Sequence, residues 1–196
     1  MSKKTGLILL IIASLGLLVL FLFMPQQPAS VREKAEKPMD ADSLKLMKAI
    51  ELVNGPNPME GITILREIVS KDDANIDAHY WLGVFSVKSG QYDKAIERFN
   101  KVIDINPEYL AAYIDMGGLY MELDSAEKAL TYFKEGVAID STNNYALLFA
   151  AQTEEKLERY EEAKKSYEQL LRHNTDTIVV NRVKEFINNI ETKLNR

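Results

Sequence analysis

Two histidines, one dense run of carboxylates and no cysteine are the groups from which chemistry could be built in this 196-residue chain. The missing cysteine excludes disulfides and thiolate metal sites. His79 and His173 stand far apart, and each reads as a packing or helix-end residue rather than a base. The densest charged cluster is EEKLERYEEAKK, residues 154–165. Within it Glu155 with Arg159, and Glu161 with Lys165, are four residues apart. That is the spacing of ion pairs along a solvated helix face, not of an acid and base sharing a substrate. No P-loop, His-Glu-x-x-His motif or glycine-rich phosphate cradle occurs. The expectation is therefore no catalytic site, no cofactor, no metal and no enzymatic role. A formal net charge of −5 also argues against nucleic-acid binding, which needs a basic face.

With catalysis set aside, the elements that could position a binding surface come into view. From Gly6 to Met24 run 19 residues without a charge, preceded by Lys3 and Lys4 and followed by Pro25. At about 1.5 Å per residue a helix of this length spans the ~30 Å hydrocarbon core of a bilayer. The run exceeds the apolar region of an ordinary signal peptide and lacks a small-x-small cleavage site, so it reads as a signal anchor, a transmembrane helix over residues 1–24. Lys3 and Lys4 favour a cytoplasmic N-terminus, which places the larger C-terminal part on the periplasmic or extracytoplasmic side. Arg32, Lys34 and Lys37 on the other flank weaken that bias. Residues 25–41, PQQPASVREKAEKPMDA, hold three prolines and mixed charge with no apolar period, and read as a linker.

Beyond the linker the chain repeats itself every 34 residues without a gap: 42–75, 76–109, 110–143 and 144–177. At the eighth position of the copies stand Ala49, Gly83, Gly117 and Ala151. At the twentieth stand Gly61, Ala95, Ala129 and Ala163, and at the twenty-fourth Leu65, Phe99, Phe133 and Tyr167. Apolar residues such as Ala95, Ile96, Phe99, Val102 and Ile103 recur at helical spacing. Each copy thus reads as two antiparallel helices whose axes, about 8–10 Å apart, approach where the side chains are small. Ala95 is expected to admit its helix to Gly83, and Phe99 to pack outward into the next copy. After 177 one more helix is expected over 178–196, with a stripe of Val179, Val183, Phe186, Ile187, Ile190 and Leu194 to cover the last pair.

The pattern Leu82, Gly83, Gly90, Tyr92, Ala95, Phe99 and Pro107, repeated in part as Tyr113, Gly117, Tyr120, Ala129 and Phe133, resembles the tetratricopeptide repeat (TPR) family. The resemblance covers about seven-tenths of the chain, residues 42–177. It departs at His79, where the family prefers Trp, and at Ser141, where Pro is usual. The fold class it implies is all-α: a right-handed α-solenoid of helix-turn-helix TPR repeats with a C-terminal capping helix, preceded here by one transmembrane helix.

The resemblance also implies a concave groove lined by the first helix of each copy. Its exposed register positions fall on Leu46, Ile50 and Val53 in the first copy, and on Asp77, Tyr80, Val84, Val87 and Lys88 in the second. In the third they fall on Ala111, Ile114, Gly118, Met121 and Glu122, and in the fourth on Tyr145, Leu148, Gln152, Glu155 and Lys156. The protein-binding residues expected from these are Leu46, Ile50, Tyr80, Val84, Val87, Ile114, Met121, Tyr145, Leu148 and Gln152. A Lys-plus-Asn carboxylate clamp, which members that hold chaperone tails use, is not present at the fifth and ninth positions. The expected role is a membrane-anchored adaptor or scaffold taking an apolar or amphipathic segment of a protein partner. The alternative is a self-associating structural module, a homo-oligomer. By family analogy, an assembly factor for secretion, outer-membrane or cytochrome biogenesis machinery also stands open.

Overall fold

The computed structural model describes residues 40–195. The expected transmembrane helix and most of the linker lie outside the described residues. Among the described residues there are nine α-helices and no strand, and no helix is long and apolar enough to cross a membrane. They are α1 (Ala41–Asn54), α2 (Pro58–Lys71), α3 (Ile76–Lys88), α4 (Tyr92–Ile105), α5 (Leu110–Glu122), α6 (Ala126–Ile139), α7 (Asn144–Lys156), α8 (Tyr160–His173) and α9 (Thr177–Leu194). Helices α3, α5 and α7 each start 34 residues after the last, and so do α4, α6 and α8. The result is an all-α helical repeat solenoid.

Local chemistry sets the punctuation. Asn75, Asn143 and Asp176 stand just before α3, α7 and α9, and their side chains accept hydrogen bonds from first-turn amides that lack intrahelical partners. At the other end, the first helices of three copies close through one left-handed residue at the same register: Gly90 (φ 70°), Asp124 (φ 51°) and Glu158 (φ 59°). The following amide turns back on the helix each time, Gln91 N–H to Ser86 O, Ser125 N–H to Tyr120 O and Arg159 N–H to Glu154 O, all at 2.8 Å. This is the glycine-type helix terminator, in which Asp124 and Glu158 bear a steric cost that Gly90 does not. It also separates Glu155 from Arg159. The helix stops at Lys156, so the expected pair does not form; Glu155 takes Lys193 of α9 at 2.7 Å, and Arg159 takes Glu127 of α6 at 2.7 Å.

Packing follows the register. An added Cβ at Gly83 would lie 2.7 Å from the Phe99 ring, and one at Gly117 would lie 2.3 Å from the Phe133 ring. The ring at the twenty-fourth position therefore seats on the small residue of its own copy, a contact the expected outward packing did not include. From that seat Phe99 joins Ala112, Met116 and Leu119 of the next copy in one core cluster. In the first copy, where Leu65 replaces the ring, the seam closes further: an added Cβ at Gly61 would lie 2.6 Å from the carbonyl of Ala49. At the far end α9 covers α7 and α8 with Val183 and Ile190 buried and Phe186 stacked on Tyr167 at 5.3 Å. Leu194, last in the expected stripe, is exposed.

Candidate functional site

First helices of consecutive copies form one wall, and α3 touches α5 directly. Between α3, α5 and α7 lies a cleft of about 320 Å³ lined by Val84, Val87, Ile114, Gly118, Leu119 and Phe149, with Phe99 beneath. Three charged side chains, Lys88, Asp115 and Glu122, share it. A second cavity of about 250 Å³ is lined by Gly118, Met121, Phe133, Phe149, Gln152 and Thr153. Gly118 and Phe149 belong to both, so the two adjoin. An added Cβ at Gly118 would meet nothing within 4 Å. The missing side chain there is open space, not a seat for a core ring.

Five expected groove residues are thus brought together: Val84, Val87 and Ile114 in the larger cleft, Met121 and Gln152 in the smaller. The Thr153 hydroxyl donates to the Phe149 carbonyl at 2.6 Å and lies 3.7 Å from Met121 Sδ, which fixes that end. The other five are elsewhere. Tyr145 and Leu148 line a separate cavity of about 190 Å³ with Val179 of α9. Leu46 lines a small pocket with Ile68 in the first copy, and Ile50 is half-buried on α1. Tyr80 stands behind the cleft, packed against Trp81, Phe99 and Tyr109. Its hydroxyl donates to Asp115 Oδ2 at 2.7 Å. Burial and that carboxylate push the phenol well above its usual range, so it stays neutral.

Asp115, Leu119, Phe149 and Phe99 complete the cleft and were not among the expected groove residues. Asp115 and Phe149 share the sixth register position with Trp81. That position adjoins the fifth on the helix, and this adjacency is the signal that could have found them. Burial pushes the Asp115 carboxyl up, and the Tyr80 hydroxyl pulls it partly back. The rim lysines are engaged: Lys88 Nζ donates to Asn54 Oδ1 at 3.1 Å, and Lys156 pairs with Asp124 at 2.8 Å.

His79 lies apart from this cleft. It is 2% exposed, with Nε2 donating to the Asp73 carbonyl at 3.1 Å and Nδ1 accepting from Arg98 at 3.1 Å. Burial lowers its pKa, so the ring is neutral and both nitrogens are occupied. His173 is exposed at the end of α8. Glu154, inside the carboxylate run, is buried, pairs with Lys134 at 2.9 Å and accepts from the Ser166 hydroxyl at 2.7 Å. These are structural contacts: Asp73 with His79 and Lys134 with Glu154 join neighbouring copies, and Arg98 with His79 and Ser166 with Glu154 join the two helices of one copy.

Residues 86–140 and 145–175 match family models described as tetratricopeptide repeat, and the chain carries repeats of that type. It is 28% identical over 101 residues to the TPR repeat-containing protein YpiA of Bacillus subtilis, across 50% of this chain and 24% of that protein. The chain spans between 9% and 24% of the length of the curated relatives it matches. Among solved structures, MamA superposes with a TM-score of 0.61 at 21% identity, covering 68% of this chain and 73% of that one. The first TPR of Spaghetti (RPAP3), bound to the HSP90 peptide SRMEEVD, superposes with a TM-score of 0.54 at 22% identity, over 62% of this chain and 96% of that one. At these identities the likeness is one of fold.

Proposed function

We propose that this chain is a membrane-anchored adaptor that holds a segment of another protein in the cleft between α3, α5 and α7. One observation carries the reading: the apolar walls supplied by Val84, Ile114 and Phe149 stay open instead of closing on the core. An apolar concavity flanked by charged side chains is what a docked segment would cover. The RPAP3 domain holds a peptide with an acidic end. Here the fifth and ninth positions are Tyr80 with Val84 and Ile114 with Gly118, which cannot clamp a carboxylate. An apolar or amphipathic segment suits them. The anchor is inferred from the charge-free run Gly6–Met24, and the extracytoplasmic placement of the repeats from Lys3 and Lys4 ahead of it.

The test is photocrosslinking in native membranes, with the reactive residue at Val87 on the cleft or at Glu97 on the exposed side of α4. A partner captured from Val87 alone, and lost when Ile114→Asp is added to a chain that still melts normally, supports the reading. Equal capture from both positions, or capture indifferent to Ile114→Asp, removes it. A second reading, self-association, is favoured by the first copy, where Leu44, Met47 and Met59 are 52%, 54% and 62% exposed. Light scattering of the chain with Met47→Glu decides that: a dimer that dissociates assigns those side chains to an interface between copies.

A further inference from the structure

An apolar groove would ordinarily avoid a partly buried acid, yet Asp115 stands where the flanking copies carry Trp81 and Phe149. Asp115 lines the larger cleft. Among the described residues its one hydrogen bond comes from Tyr80, a neutral phenol. An ionised carboxylate offers about four acceptor sites, and one neutral donor leaves both the charge and most of that capacity unmatched. Among the described residues no lysine or arginine pairs with it: Lys88 Nζ donates to Asn54 Oδ1 and Lys156 pairs with Asp124. The upward pull of burial on the Asp115 carboxyl reports the same shortage. One helical turn along α5, Gly118 opens the neighbouring apolar well between Phe133 and Phe149. The two features lie on one face of one helix, about 5–6 Å apart at the Cβ positions.

We infer that the cleft reads a lysine or arginine of the bound protein segment at Asp115, beside a bulky apolar side chain of the same segment seated in the Gly118 well. The inference rests on the groove reading above and adds the chemistry of the occupant. Charge complementarity carries it: a guanidinium or ammonium donating to Asp115 forms a charge-assisted hydrogen bond in a site partly shielded from water. Tyr80, by holding one carboxylate oxygen from behind, is a positioning residue that leaves the other oxygen for the ligand.

The experiment is selection of a displayed library of random dodecapeptides on the full-length chain in lipid nanodiscs, after depletion on empty nanodiscs. Parallel selections use Asp115→Asn, Gly118→Trp and, as a control for net charge, Asp104→Asn on the exposed side of α4. The expected result is enrichment of peptides with Lys or Arg within four residues of a large apolar side chain. Asp115→Asn should remove that basic preference and weaken the leading peptide about tenfold, the scale of a lost charged hydrogen bond. Asp104→Asn should change neither, and Gly118→Trp should block binding. Peptides without basic bias that Gly118→Trp still blocks would overturn the inference and leave the groove reading standing, as would a basic preference that survives Asp115→Asn. No enrichment, or binding indifferent to Gly118→Trp, would overturn both. Thermal melts matching the parent, recorded for each variant, exclude misfolding as the cause.

Discussion

Gly117 and Gly118 are neighbours in α5 and belong to different surfaces. A methyl group on Gly117 would lie 2.3 Å from the buried ring of Phe133, whereas one on Gly118 would point into empty space. The first glycine is small because a helix pair must close; the second leaves a cleft open. The pair separates the two regions of the molecule. The seam between helices is over-determined by packing, while the concave face tolerates, and uses, missing volume.

The seam should give the largest effects. Phe133→Ala empties the seat over Gly117 and is expected to cost about 3–5 kcal/mol, read by urea unfolding. Gly117→Leu overfills the same seat and should cost about 1–3 kcal/mol. Combining Gly117→Leu with Phe133→Leu should cost less than those two single changes added together, because the smaller side chain at 133 makes room that the larger one at 117 fills. Simple additivity would mean that the ring and the glycine do not share one space.

The seam was also the legible part. Small residues at the eighth and twentieth positions mark helix crossings directly, since only close backbones require them, and the 34-residue step is repeated by the helix starts at Ile76, Leu110 and Asn144. Other features leave no such mark. Gly90 announces a left-handed terminator, but Asp124 and Glu158 adopt the same conformation without being glycine, in turns closed by the Ser125 N–H to Tyr120 O and Arg159 N–H to Glu154 O bonds. Missing the terminator after Lys156 is what made Glu155 and Arg159 look like one helical pair. The groove was half legible. Register positions find residues that face outward, so Val84, Val87 and Ile114 were found. Whether the concave wall is one cleft or several depends on how neighbouring copies tilt, and that separates Leu46, Tyr145 and Leu148 from the centre. Asp115 was missed because it stands at the sixth register position, outside the second, fifth, ninth, twelfth and thirteenth that the family's groove uses.

A smaller effect of opposite sign is expected at the cleft. Gly118→Ala adds a methyl group to open space and removes a helix-interior glycine, so it should stabilise the chain by about 0.5–1 kcal/mol. Thermal or urea unfolding checks it. Destabilisation would show that the two adjacent glycines do the same job and that the concave face is packed after all.

The finest distinction between the regions is in pH dependence. In the seam, His79 is buried with both ring nitrogens occupied, and its folded pKa lies below 6.5. The unfolded chain then binds the extra proton first, so stability is fully present above pH 6.5 and falls as the pH drops from there toward the folded value. In the cleft, Asp115 has a folded pKa above 3.8, so the folded chain binds the extra proton and stability falls as the pH rises from 3.8 through the folded value. The two slopes have opposite signs because each site disfavours the charge its group would carry. Chemical unfolding between pH 4 and 7 should therefore show His79→Gln losing an acid-side decline that the parent has. Asp115→Asn should lose a gain toward pH 4 instead. If both substitutions shift the profile in the same direction, the seam and the cleft are one electrostatic environment, and the contrast drawn from Gly117 and Gly118 does not extend to charge.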